Sequence, residues 1–182
     1  QVEISSEAEL DALAARASQQ VLKGAADITL SASEETSGDE NLSQAIADTK
    51  AVIEASILRE LTLSDAASKY ADEAAAEAAN YALVGPAQGF FDSASSQAFK
   101  EPDAIARFLV ENARYIKAED SLTVGQAAEI NEIAQLTDGD AVPFTFSVRD
   151  SLAGLTASGA DNILSLSDGG FVIEDTIDNL DG

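Results

Sequence analysis

Thirty-three acidic side chains, with no histidine and no cysteine, define the chemistry this chain can attempt. Nucleophilic catalysis in its ordinary forms needs an imidazole base or a thiolate, so it is excluded. Zinc and haem sites lose their usual ligands for the same reason. What remains is carboxylate chemistry, and its first use is to bind a hard cation. Asp138-Gly139-Asp140 alternates oxygen ligands around a flexible glycine, and Asp168 with Glu174 and Asp175 offers a second set, so these five residues are the candidate calcium ligands. The plainer reading stays open beside it: Asp-Gly is a common turn dipeptide whose carboxylates are simply solvated. Ser37-Gly38-Asp39-Glu40 reads as an acidic loop. A pair of carboxylates could also hydrolyse a glycoside. Acids this abundant single out no pair, so we expect no enzyme, no catalytic residue and no cofactor other than calcium.

Tyr70, Tyr81, Phe90, Phe91, Phe99 and Tyr115 could stack on sugar rings. Without tryptophan, and with several of them at core-facing spacings, interior packing is the stronger reading. Gly85-Pro86 with Gly89 lacks the lysine and hydroxyl residue of a phosphate loop and reads as a turn. A formal charge of -23 repels nucleic acid and anionic membranes, which leaves cations, neutral glycans and copies of the chain itself as partners. No run approaches the roughly 20 apolar residues that a helical membrane span needs. Gln1 is not an initiator residue, and the chain reads as an excerpt of something longer.

The elements that would position these groups follow from a repeat. Leu61-Thr62-Leu63-Ser64-Asp65-Ala66-Ala67 returns as Leu122-Thr123-Val124-Gly125-Gln126-Ala127-Ala128, each copy passing from an alternating stretch into an alanine-rich one. Strands are expected to start near 28, 61, 81, 122, 144 and 163. Helices are expected over 7–23, with Ser6 and Glu9 as a capping box, over 42–58, over 66–79 capped by Ser64 or Asp65, and over 102–117. Leu61 to Leu122 and Tyr81 to Phe144 are nearly equal steps, which suggests a superrepeat of two strand-helix units. A unit of this kind cannot bury its apolar side alone, so copies should stack. The expected fold is α/β, a solenoid of parallel strands backed by Ala-rich helices, with an all-α bundle as the alternative. It would form one repeat-built domain over 1–182, divisible at 1–60, 61–121 and 122–182.

Stretches 28–31, 61–67, 122–128, 144–152 and 163–170 together resemble the degenerate strand/helix repeats of large bacterial secreted surface proteins, the calcium-associated adhesins exported by type I secretion among them. The tandem Gly-Gly-x-Gly-x-Asp calcium repeat of such proteins is absent, and only Asp168-Gly169-Gly170 stands alone. The resemblance implies an extracellular or bacterial cell-surface location. It also implies a structural role in an adhesin, surface layer or fibre, as spacer or self-assembly module. A calcium-dependent glycan- or cell-binding module is the alternative.

Overall fold

A computed structural model describes residues 2–34, 37–91, 105–135 and 141–174. Strand β1 (Val2–Ile4) leads through helix α1 (Glu7–Ala17) to β2 (Val21–Lys23) and β3 (Leu30–Ala32). Helix α2 (Glu40–Ser56) carries the chain to β4 (Leu58–Leu61), and α3 (Leu63–Lys69) with α4 (Glu73–Glu77) carry it to β5 (Tyr81–Gly85). Next come α5 (Ala87–Phe90), α6 (Ile105–Glu111), β6 (Ile116–Leu122), α7 (Val124–Ala134) and β7 (Phe144–Asp150). Helices α8 (Leu152–Leu155) and α9 (Ala160–Leu166) precede β8 (Phe171–Ile173). The α/β class therefore holds, and the all-helical alternative falls.

Every described strand pairing is parallel. β1 pairs with β3, and the remaining six form one sheet in the order β2-β4-β5-β6-β7-β8, which is also their order along the chain. Alternation decides the two faces, because successive side chains of a strand point to opposite sides. Leu61, Leu83, Ile116, Leu122 and Val148 face the helices and are essentially unexposed, in one cluster with Ala66 of α3, Leu109 of α6, Ala127 and Ile130 of α7 and Ile163 of α9. Burying one such large aliphatic side chain stabilises the fold by about 1.5–3 kcal/mol. Lys117, Glu119, Thr145 and Arg149 lie exposed on the other face. Parallel sheets are usually covered on both sides. This one has an exposed polar face.

Several elements depart from the sequence reading. The first helix ends at Ala17, and Val21–Lys23 is a strand, because β4 offers that segment a pairing partner. Ser6 makes no side-chain cap; Ser5 instead donates from its backbone N–H and its hydroxyl to Glu9, 2.8 Å each. Those two hydrogen bonds hold the Glu9 carboxyl below its usual pKa. Thr62, not Ser64 or Asp65, caps α3 by accepting from Asp65 N–H at 3.1 Å. The alanine-rich stretch breaks at Tyr70, which is buried, and Asp72 starts α4 with a cap on Ala75 N–H. The helix expected to reach Lys117 ends at Glu111; Ile116 and Lys117 begin β6, and Pro102 lies outside the described residues. Residues 61 and 122 end their strands rather than start them, and the strand expected at 28 begins at Leu30. Ile163 belongs to helix α9, which follows Gly159 at φ 88°, a left-handed conformation that glycine adopts without strain.

Candidate functional site

Strand β4 reads Leu58-Arg59-Glu60-Leu61. Leu61 faces the helices, so period two turns Arg59 inward as well. Arg59 is 1% exposed, the one charged residue buried among the described residues. A guanidinium taken out of water needs partners. Its Nη1 donates to the Ala26 carbonyl at 2.6 Å. Its Nη2 lies 3.9 Å from Glu54 Oε1, an ion pair beyond hydrogen-bond range, and neither atom makes a hydrogen bond within the protein.

Arg59 and Glu54 are among the residues around a cleft of about 300 Å³ whose walls come from α2, β4, the end of α3 and α4, while these two atoms themselves are closed to solvent. On one side lies the small core of Ala17, Ile53 and Ile57, and on the other the main core with Ala66, Tyr70 and Ala76. The cleft is the seam between them. Alanines line it on both sides, Ala51 and Ala55 from α2 and Ala75, Ala78 and Ala79 from α4 and beyond, and they are too short to close it. Tyr70 stands at its edge with its ring against Tyr81, centroids 5.1 Å apart. Burial pushes the Tyr70 hydroxyl pKa up. Lys69 Nζ donates to Asp27, which holds that carboxyl below the usual range.

The opposite face of β4 carries a second arrangement. Lys23 pairs in register with Glu60, and Glu60 with Ala82. Tyr115 stands just before Ile116, the partner of Leu83, so it falls in the row of Ala82. Its hydroxyl donates to Glu60 Oε1 at 2.8 Å, which carries the phenol across β5 and explains why Ala82 is wholly buried on an exposed face. Lys23 Nζ lies 3.3 Å from Glu60 on the other side. The tyrosine hydroxyl first, and Lys23 after it, hold the Glu60 carboxyl below its usual range. Burial, and then the bond to Glu60, push Tyr115 up.

Two further acids serve the fold. Asp120 on β6 accepts from Ala87 N–H at the start of α5, and Asp150 at the end of β7 accepts from Val124 N–H at the start of α7, 3.0 Å. Each carboxylate thus caps a helix of the preceding strand-helix unit, where the orphan amides and the helix dipole favour an anion.

Of the candidate calcium ligands, Asp138, Asp140 and Asp175 lie outside the described residues. Asp168 sits in the turn between α9 and β8. Glu174 follows β8, where its N–H donates to the Asp150 carbonyl and its carboxylate lies 3.9 Å from Arg149 Nη1. Among the described residues no three acidic side chains converge as a metal site would require. Of the aromatic candidates, Tyr70, Tyr81 and Phe90 are buried in the main core, Phe91 packs against it, and Phe99 lies outside the described residues. Interior packing holds for these four, whereas Tyr115 lies half-buried on the outer face of the sheet. No described helix is long and apolar enough to cross a membrane.

Sequence reasoning missed Arg59, Glu54, Glu60, Asp120 and Asp150. For Arg59 a signal existed, since its parity with Leu61 already turns it inward. No protein-family model, curated protein or solved structure matches this chain.

Proposed function

We propose that the chain is a non-catalytic structural segment of a bacterial extracellular or cell-surface protein, an adhesin, surface layer or fibre. It acts there as a spacer or self-assembly module. What supports this is the run of parallel strand-helix units, which we read as a solenoid in which each unit leans on the one before it. The observation that carries the reading is the parallel sheet whose spatial order is its chain order, with helices on one face. Three of its strand-to-helix joints share one device: Thr62, Thr123 and Ser151 each accept from the N–H three residues on. Stacked repeats of this kind draw stability from neighbour contacts.

Self-association fits the two sheet edges. β8 exposes Phe171, Val172 and Ile173 by 46–56%, and at the other edge Val21 of β2 is 52% exposed. An apolar edge with unpaired backbone groups is a template for another strand. The charge of -23 opposes that contact at low salt, and screening relieves it. Sedimentation across protein concentration and salt tests the reading. We expect end-to-end association that grows with salt and is lost in Val172→Lys. A particle that stays monomeric under all conditions would remove self-assembly, and turnover of glycosides by the purified chain would remove the non-catalytic role.

A further inference from the structure

We infer that β8 of one copy of the chain adds as a parallel strand to the open edge of β2 of the next copy, with Val172 opposite Val21, Ile173 opposite Leu22 and Glu174 opposite Lys23. Copies then join head to tail. This rests on the self-assembly reading and fixes which edges meet and in what register.

The backbone allows that register. Among the described residues β2 pairs only with β4, and β8 only with β7. Along a strand of a parallel ladder, alternate residues turn their N–H and C=O groups to the same side. Leu58 N–H donates to the Gln20 carbonyl and Gly24 N–H to the Glu60 carbonyl, so Gln20, Leu22 and Gly24 are turned to β4, and Val21 and Lys23 to the open side. Val148 N–H donates to the Gly170 carbonyl and Glu174 N–H to the Asp150 carbonyl, so Phe171 and Ile173 are the residues turned outward from β7. In each opposed pair of a parallel ladder, one residue turns its groups to the partner strand and the other turns them away. Val21 with Val172, Leu22 with Ile173 and Lys23 with Glu174 all meet that condition. The N–H groups of Val21 and Lys23 then donate to the carbonyls of Phe171 and Ile173 of the next copy. A slip of one residue would break the match and exchange the two faces.

Side chains choose among the registers that remain. Val172 is in register with Arg149, so Val172 and Glu174 lie on the outer face, and Phe171 and Ile173 on the helix side. Leu22 packs against the small core, which places Val21 and Lys23 on the outer face. Valine therefore meets valine outside, leucine meets isoleucine inside, and Lys23 meets Glu174. A slip of two residues would set Val21 opposite Gly170 and Lys23 opposite Val172, and both matches would be lost. Charges also alternate across the join, from Arg149 and Glu174 of one copy to Lys23 and Glu60 of the next. The first and last of these contacts already exist within the chain, at 3.9 Å and 3.3 Å. The chain itself grows this way at the same edge, where β1 and β2 lie in parallel on β3 and β4. Unlike ends that join in this way leave an edge open for the next copy, whereas like ends would close at a dimer.

Disulfide trapping tests the join, because the chain has no cysteine of its own. Adjacent strands lie about 4.8 Å apart, within disulfide range, whereas a two-residue offset adds about 7 Å along the strand and takes the Cα atoms out of range. Val21→Cys and Val172→Cys replace half-exposed valines and should leave the fold intact. Mixed under oxidising conditions, at a salt where sedimentation shows association, they should give roughly tenfold more cross-linked pair than either variant alone. They should exceed by as much a mixture of Val172→Cys with Val52→Cys, whose cysteine is exposed on α2. A chain carrying both edge cysteines should give a ladder of oligomers. Lys23→Cys with Glu174→Cys should link as well, and Val21→Cys with Glu174→Cys poorly. Association accompanied by Val172→Cys homodimers, or by no preference among the mixtures, would overturn the head-to-tail join and leave self-assembly standing. Equal linking of Val21→Cys to positions 172 and 174 would overturn the register. Absence of association at every salt would remove the self-assembly reading and this join with it.

Discussion

The two copies of the repeat differ in what stands beside them. Leu61–Ala67 and Leu122–Ala128 both end a strand, cap a helix with threonine, and bury their first helical residue and the first alanine of the Ala-Ala pair. In the second copy Gln126 returns the favour to Thr123 N–H at 2.9 Å and completes a capping box, and Asp150 of the next strand takes Val124 N–H. In the first copy Asp65 makes no such return bond, and two residues beyond Leu83, the register partner of Leu61, stands Gly85, where the second copy has Asp150 two residues beyond Val148, the partner of Leu122. α3 runs seven residues and α7 eleven. One local signal thus yields two helix starts of different strength, and the difference comes from Gln126 in place of Asp65 together with Asp150 of the neighbouring strand.

The outer face repeats the lesson. Glu60 and Ser121 occupy equivalent positions, one before the final leucine of each strand. Glu60 is tied to Lys23 on one side and, across β5, to Tyr115, whereas Ser121 shares a 3.0 Å hydrogen bond with Ser147 next door.

Asp150→Ala should break the comparison most severely. It removes acceptors for Val124 N–H and Ser151 N–H, and charge-assisted bonds of this kind support a loss of about 2–4 kcal/mol in urea unfolding. Gly154→Ala should act through the same carboxylate, because a methyl there collides with Asp150; we expect about 1–3 kcal/mol, and near-additivity with Asp150→Ala would show that the two do not share a mechanism. Next, Thr123→Ala and Thr62→Ala should each cost about 1 kcal/mol, because each removes one side-chain acceptor from a helix N-terminus, and Gln126→Ala, which removes the return bond to the Thr123 N–H, should cost a further few tenths. No loss in Gln126→Ala would mean that the return bond contributes nothing.

Gly85→Asp sharpens the comparison by importing the missing carboxylate. Gly85 has no left-handed φ, and a Cβ there meets only Thr62 at ordinary contact distance, so we expect a gain of about 0.5–1 kcal/mol from the cap and the stiffer unfolded chain. A net loss would show that burying the charge outweighs the cap. Of similar size is the loss in Tyr115→Phe, about 0.5–1 kcal/mol at pH 7. Glu60 has a folded pKa below its unfolded value, so its contribution is complete above about pH 4.3 and is lost as pH falls through the lower folded value. The gap between parent and variant should therefore close in acid, and a gap that stays constant would assign the effect to packing over Ala82.

The joints were legible in the chain because they are built from nearby residues: a threonine, its third neighbour, an alternating run before and an alanine pair after. Strand β7 and the start of β5 were legible for the same reason. The elements at 21–23 and 163–166 were not. A three-residue strand such as Val21–Lys23 exists only through its partner, and Leu164-Ser165-Leu166 alternates in sequence while its Ile163 turns a helical face to the core. The site was the least legible part, since Glu54 and Arg59 matter through a seam between two cores that no local pattern announces.

What the sequence determined by itself is the repertoire: carboxylates without imidazole or thiol, strands that pass into alanine-rich helices, and a formal charge of -23. These follow from side-chain chemistry and from hydrogen bonds that span three or four residues. The tertiary structure alone decided which acids cap a neighbour's helix, which tyrosine bridges a strand, and that Arg59 lies buried with a free donor. Each of those outcomes depends on register between strands that lie tens of residues apart in the chain. A shift of one residue there would turn every such side chain to the other face.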